Sequence, residues 1–240
     1  IPTLRFFEFG NCYHYSPEKK NDEDPIKAYT EEMHLGMWLT GKRVEGSWAH
    51  ADEQSSFYEL KAYVMNIFTR LGVNPGIVVT ESSDNNVFGK ALALKARSGK
   101  VLCEMGIVSH KLLKKMDIEQ EVFYADINWD NMMRAIKKNE VLYHDICKFP
   151  SVSRDLALLL DKNVQFEQIE QIARQTEKKL LKSVELFDVY EGKNLPEGKK
   201  SYAVNFILQD ETKTLNDKQI EAIMSKLINN LKTKLGAELR

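Results

Sequence analysis

The strongest constraint on the fold is the run "SYAVNFILQ" (201–209), in which Tyr202, Val204, Phe206 and Leu208 alternate with Ser201, Ala203 and Asn205. A period of two is that of a strand with one buried face. Such a strand needs a layer against its apolar side, and the surrounding sequence supplies two helices. Phe166, Ile169, Ile172 and Ala173 fall at helical spacing. Ile220, Ile223, Leu227, Leu231 and Leu235 mark a longer amphipathic helix, with Asn216 and Asp217 as caps. "SVSRDLALLL" and "SVELFDVY" read as further strands, a Pro/Gly loop joins the second to "SYAVNFILQ", and "AELR" can add a short last one. The order is β-α-β-β-α-β, the ferredoxin-like split unit, with both helices on one face of an antiparallel sheet and the other face open.

Alternation also assigns the open face. Phe187 and Val189 point one way, while Asp188 and Tyr190 point the other, joined by Ser201, Ala203 and Asn205. Lys199 and Lys200 border this surface. A ring to stack on, a carboxylate and a hydroxyl to read base edges, and nearby cations suit unpaired RNA bases. From the residues alone, a small effector or the sheet of a second copy fits as well, and exposed Asp, Tyr, Ser and Lys are common on solvent faces. Arg154 is either a phosphate or base contact or a strand anchor paired with an acid. Lys199 and Lys200 are either phosphate contacts or solvated loop charges.

The preceding part reads as antiparallel strands with interspersed helices. Met33, Leu35, Met37 and Leu39 alternate with His34, Gly36 and Trp38, and Phe57, Leu60, Val64, Ile67, Phe68 and Leu71 share a helical face that Gly72 ends. "GKALALKA" and "KVLCEMGIVS" form a hairpin around Arg97-Ser98-Gly99, and Asp130 lies near the start of a short helix. The acidic and basic run 16–24 reads as a solvated loop. The boundary falls at Phe149-Pro150, giving domains 1–148 and 149–240 and an α+β fold overall.

With 240 residues, two domains can each bury a core. The formal net charge of −1 excludes a basic coat, so any nucleic-acid contact is local. Cys12, Cys103 and Cys147 are far apart and odd in number, which argues against a disulfide framework and for a reducing cytosol. No apolar run reaches the roughly 18–20 residues of a membrane span. The first residue is Ile1 rather than Met, from which a fragment of a longer polypeptide is expected.

Catalytic signatures are few. Neither GxxxxGK[ST] nor HExxH occurs, the five histidines are dispersed, and no Ser or Cys sits in a nucleophile motif. "LRFFEFG" resembles the Arg-x-x-Glu strand with which class II synthetases hold ATP and the amino acid, which would make Arg5 a phosphate clamp and Glu8 an adenine or amino-group contact. No later glycine-rich segment ends in the second Arg that a triphosphate requires, so they are expected to form a cross-strand ion pair.

The segments "FPSVSRDLA" (149–157), "LFDVYEG" (186–192), "LPEGKKSYA" (195–203), "TLND" (214–217) and the closing "AELR" resemble the anticodon-binding domain of the bacterial phenylalanyl-tRNA synthetase β chain. "LRFFEFGNCYH", "FYELKAYVMNIFTRLGV" and "GIVSHKLLKKMDI" resemble the antiparallel class II synthetase-like module before it, a noncatalytic relative of the α chain's active domain. The family's His-Pro pair is not reproduced at Val108-Ser109-His110-Lys111. The resemblance implies the C-terminal portion of a cytoplasmic β subunit. Its ferredoxin-like domain would read the tRNA(Phe) anticodon through Asp188, Tyr190 and Ser201. Aminoacylation, with ATP and magnesium, would occur at the α subunit of an α2β2 assembly, and no cofactor is expected in this portion. The alternative is a protein-assembly module whose open sheet face binds protein.

Overall fold

The computed structural model describes residues 2–21, 24–73, 78–82, 86–96, 98–137, 143 and 145–240. They fall into two compact units, 1–142 and 143–240.

The first unit runs β1 (Leu4–Tyr15), β2 (Tyr29–Thr40), β3 (Lys42–Val44), β4 (Glu53–Gln54), α1 (Phe57–Arg70), β5 (Val78–Ser82), β6 (Phe88–Ala96), β7 (Val101–Val108), α2 (His110–Lys115), β8 (Val122–Asn128) and α3 (Trp129–Ile136). Six strands form one antiparallel sheet in the order β1-β2-β8-β7-β6-β5, and β3 pairs with β4 separately. Ser56 caps α1 by accepting from the Glu59 N–H, and Gly72, at a positive φ of 73°, follows its last turn. Leu60, Val64 and Phe68 of α1 are buried with Leu35, Leu39, Met105, Phe123 and Ile127 of the sheet, and Met37 packs beside them. On the other side of β2, Trp38 stacks on Tyr124 with ring centroids 5.0 Å apart. Gly36 makes room for this, because a Cβ there would lie 2.4 Å from the indole.

In the run 16–24, Pro17–Lys19 forms a 3-10 turn, and a second spans Pro25–Ala28 just beyond it. Residues 22 and 23 lie outside the described residues, as does Arg97 of the β6–β7 turn. That turn is closed by the Ala96 N–H donating to Lys100 O at 2.9 Å, with Gly99 at φ 81°.

One expectation is corrected. Arg5 does not pair with Glu8, which is exposed on the same strand. Its guanidinium reaches Glu59 of α1 (Nη2 to Oε1 3.3 Å) and also donates to the carbonyls of Lys42 and Arg43 at 3.2 and 3.1 Å. Tyr63 adds a hydroxyl donor to the same carboxylate at 2.9 Å. Glu59 is only 8% exposed, so Arg5 is the counter-ion of a buried acid and fastens the edge strand to the helix.

The second unit runs β9 (Val152–Asp161), α4 (Phe166–Thr176), β10 (Leu181–Tyr190), β11 (Lys199–Leu208), α5 (Asp217–Leu235) and β12 (Glu238–Leu239), with antiparallel sheet order β10-β11-β9-β12. Asn216 and Gln219 form a reciprocal capping box at α5, and Gly236 ends it in the left-handed region. Leu158, Leu160, Val204, Phe206 and Leu208 of the sheet form one core with Ile169, Ala173, Leu227 and Leu231 of the helices.

Cys103 is fully buried in the first core and burial pushes its thiol pKa far up, whereas Cys12 is exposed. An alkylating reagent should therefore modify Cys12 in the native chain and reach Cys103 only when the first unit opens. Replacing Arg5 by Ala strands the Glu59 carboxylate and should cost about 1.5–3 kcal/mol. In native-state alkylation this reads as roughly 10- to 100-fold faster modification of Cys103, with Glu8→Ala close to neutral.

Candidate nucleic-acid interface

The face presented by Asp188 and Tyr190 is decided by one extra residue. Val184 pairs with Phe206 and Leu186 with Val204, placing both over the helices. Between Leu186 and Asp188 the register shifts, so Phe187 is a bulge residue, and it is 60% exposed. Beyond it Asp188 pairs with Ala203, Val189 with Tyr202 and Tyr190 with Ser201. Unbroken alternation from Leu186 would have carried Asp188 and Tyr190 beneath the helices. The bulge turns them to the uncovered side.

Three cross-strand rows build that surface. Tyr190, Ser201, Leu159 and Glu238 form one. Asp188, Ala203 and Ala157 form the next, continued by Arg240, whose N–H donates to Ala157 O at 3.0 Å. Glu185, Asn205 and Asp155 form the third, with Asn205 Nδ2 donating to Asp155 Oδ1 at 2.5 Å and to Ser153 Oγ. The Arg240 guanidinium lies over the Tyr190 ring, 5.4 Å from its centroid. Gly192 admits the other end of that ring, since a Cβ there would be 2.3 Å from the Tyr190 hydroxyl.

Asp188 is exposed and Tyr190 is 37% exposed, so a carboxylate and part of an aromatic ring face solvent side by side. Ser201 shares their face but is only 5% exposed, set between Tyr190 and Leu159. Lys200 is a correction. It has the parity of Tyr202, lies on the helix-covered side at 7% exposure, and donates from Nζ to the Tyr202 hydroxyl at 2.7 Å. A phosphate cannot reach it without unpacking that side. Lys199 has the parity of Ser201 and is ion-paired with Asp161 at 2.9 Å. Arg154 is exposed, stands opposite Phe206 rather than in the rows above, and donates to Ser153 O at 2.9 Å.

Arg240 is the residue that sequence reasoning missed. The closing "AELR" signalled a terminal strand, but periodicity does not reveal which neighbour that strand joins or which ring its last side chain reaches. In the first unit, His34 Nδ1 lies 2.7 Å from Asp126 Oδ1, and the Asn128 amide donates to Glu32. Among the described residues no group of three or more His, Cys, Asp or Glu side chains is arranged to hold a metal ion.

Comparison with known proteins agrees with this architecture. Residues 1–129 match the family described as the phenylalanyl tRNA synthetase beta chain CLM domain, and residues 147–240 match the ferredoxin-fold anticodon binding domain. The phenylalanine–tRNA ligase beta subunit of Bacteroides fragilis is 59% identical over 237 residues, covering 99% of this chain and 29% of that protein. That of Porphyromonas gingivalis is 51% identical over 238 residues, with the same coverages. The one from Syntrophotalea carbinolica is 34% identical over 211 residues, covering 88% of this chain and 26% of its own. The chain thus spans under a third of the length of these relatives.

The seat of Tyr190 can be tested without RNA. Gly192→Ala should push the ring aside, because the clash is with the far end of a side chain. Stability should change by less than about 1 kcal/mol, while the Tyr190 ring resonances shift. Unmoved ring resonances would mean that the ring does not rest on Gly192.

Proposed function

We propose a binding function for this chain, which belongs to the phenylalanyl-tRNA synthetase β chain family. The small unit reads the anticodon of tRNA(Phe), and the chain supports aminoacylation carried out at an α subunit. What carries the reading is the convergence of Asp188, Tyr190 and Ser201 on the one sheet face without helices, in a unit matched to an anticodon-binding domain.

The chemistry follows from those groups. The Tyr190 ring stacks an unpaired base, the Asp188 carboxylate accepts from base N–H groups, and the Ser201 hydroxyl can donate or accept. Of Lys199 and Lys200, only Lys199 has the parity of this face, where it could meet a phosphate in exchange with Asp161. Arg154 stands opposite Phe206, with the parity of the helix-covered side, and is not counted with the rows.

The partners extend from the same reading. ATP and magnesium act at the α subunit site of an α2β2 assembly in the cytoplasm, and the six-stranded unit supports that assembly without bond-making of its own. The edge strand β1 favours a protein contact there, since Phe6, Phe7, Tyr13 and Tyr15 are all exposed on it.

Titration of the chain with a tRNA(Phe) anticodon stem-loop tests the proposal. Tyr190→Ala should weaken binding by about 1–3 kcal/mol, Asp188→Ala should also weaken it, and affinity should fall steeply with salt. Equal affinity in both variants with the fold intact, or indifference to salt, would instead support protein assembly through this face.

A further inference from the structure

The first unit carries all three tryptophans of the chain, and they are not treated alike. Trp38 stacks on Tyr124, and Trp129 meets Phe9 edge-on at 4.9 Å. Trp48 is 100% exposed and adds nothing to the core, yet it does not sit on a loose loop. It stands at the tip of the β3–β4 hairpin, in a turn closed from both sides. The Ser47 N–H donates to His50 O at 2.8 Å and the His50 N–H to Ser47 O at 3.4 Å. Below the turn, Asp52 accepts from the Lys42 ammonium at 3.0 Å and from the Gly46 N–H at 2.5 Å, and Arg43 pairs with Glu53 at 2.9 Å. At the root, Arg5 holds the carbonyls of Lys42 and Arg43. There the Lys42 N–H donates to Thr3 Oγ1 at 3.1 Å and the Ser55 N–H to Gly41 O at 2.9 Å.

A large apolar side chain held out on a braced stem, with no part in its own fold, has the form of a binding anchor. Bracing leaves little backbone freedom to lose on docking, and Trp is prominent among the side chains that dominate protein interfaces. The neighbours select the kind of partner. From residue 45 to residue 53 the hairpin carries Glu45, Asp52 and Glu53 but no Lys or Arg, which repels a phosphate backbone or an anionic membrane surface. An apolar protein pocket with basic side chains at its rim fits instead, with an acceptor for the indole N–H. The root also ties the hairpin to Arg5 of β1, the strand whose exposed aromatic side chains favour a protein contact. We infer that Trp48 is the anchor by which the six-stranded unit plugs into an apolar, basic-rimmed pocket of the α subunit. The inference rests on the assembly half of the function proposed above and adds to it the anchoring residue, its rigid stem and the charge of its seat.

The test uses the full-length β chain bearing this segment, assembled with its α subunit. With the substitution Trp48→p-benzoylphenylalanine, irradiation should cross-link residue 48 to an α-subunit peptide. A cross-link to a further segment of the β chain, to a second β copy or to added tRNA would overturn the assignment, and so would no cross-link at all. Trp48→Ala should speed the exchange of α subunits out of the assembly by about 30-fold or more, as truncation of an interface hot spot does. Glu45→Lys should slow association severalfold, and an unchanged or faster rate would overturn the basic rim. In the 240-residue chain, Trp48→Ala should keep the parent melting temperature. A lower one would mean that the indole packs on its own unit, and would overturn the anchor. If the assembly forms and Trp48→Ala exchanges at the parent rate, the anchor alone falls. If the parent β chain and the α subunit do not associate, the assembly reading falls and the anchor with it.

Discussion

The register of β10 on β11 is the constraint from which the small unit's chemistry follows. A single extra residue, Phe187, separates a segment whose alternate side chains enter the core from one whose alternate side chains face solvent. The helix-covered half is anchored by Val184 and Leu186 against Phe206 and Val204, so the strand cannot slip to relieve the bulge without exposing that core. Burial on one side of Leu186 therefore sets the exposure of Asp188 and Tyr190 on the other. A bulge at an edge strand also spoils the template for pairing with another chain.

The two units treat their cations differently. In the first, Arg5 is spent on a buried carboxylate and two carbonyls, which ties the long edge strand β1 to α1 and leaves little of it for a ligand. In the second, Lys200 is turned into the helix side, its ammonium against the Tyr202 hydroxyl and 4.5 Å from that ring's centroid. Arg240, by contrast, remains on the surface over a ring. A cation next to a functional motif in sequence is thus no guide to availability. What decides is strand parity and the nearest buried acid or hydroxyl.

Much of the fold was legible because the periodicities are clean. Tyr202 to Leu208 kept strict alternation, the cap at Asn216 and the stop at Gly72 sit where their chemistry requires, and the β-α-β-β-α-β order follows from them. The grouping of Asp188 with Tyr190 was also readable, since residues two apart share a face. They were also expected on the open face and they lie there, but the reason was not legible: the bulge that turns them outward is a property of pairing with β11 and carries no local mark. The parity of Lys200 was available from the same alternation that placed Ser201, but proximity to the loop obscured it. The partners of Arg5 and Arg240 lie 54 and 50 residues away along the chain, and only the assembled sheets bring them together.

The central claim is that the uncovered face of the β10-β11-β9-β12 sheet is where RNA sits. Amide and methyl resonances of the chain, followed during addition of a tRNA(Phe) anticodon stem-loop, test it most directly. The account predicts shifts concentrated at Asp188, Tyr190, Ser201, Ala203, Ala157 and Arg240, with α4 and α5 silent. Shifts centred on the two helices or on the six-stranded unit, with those residues unmoved, would contradict it.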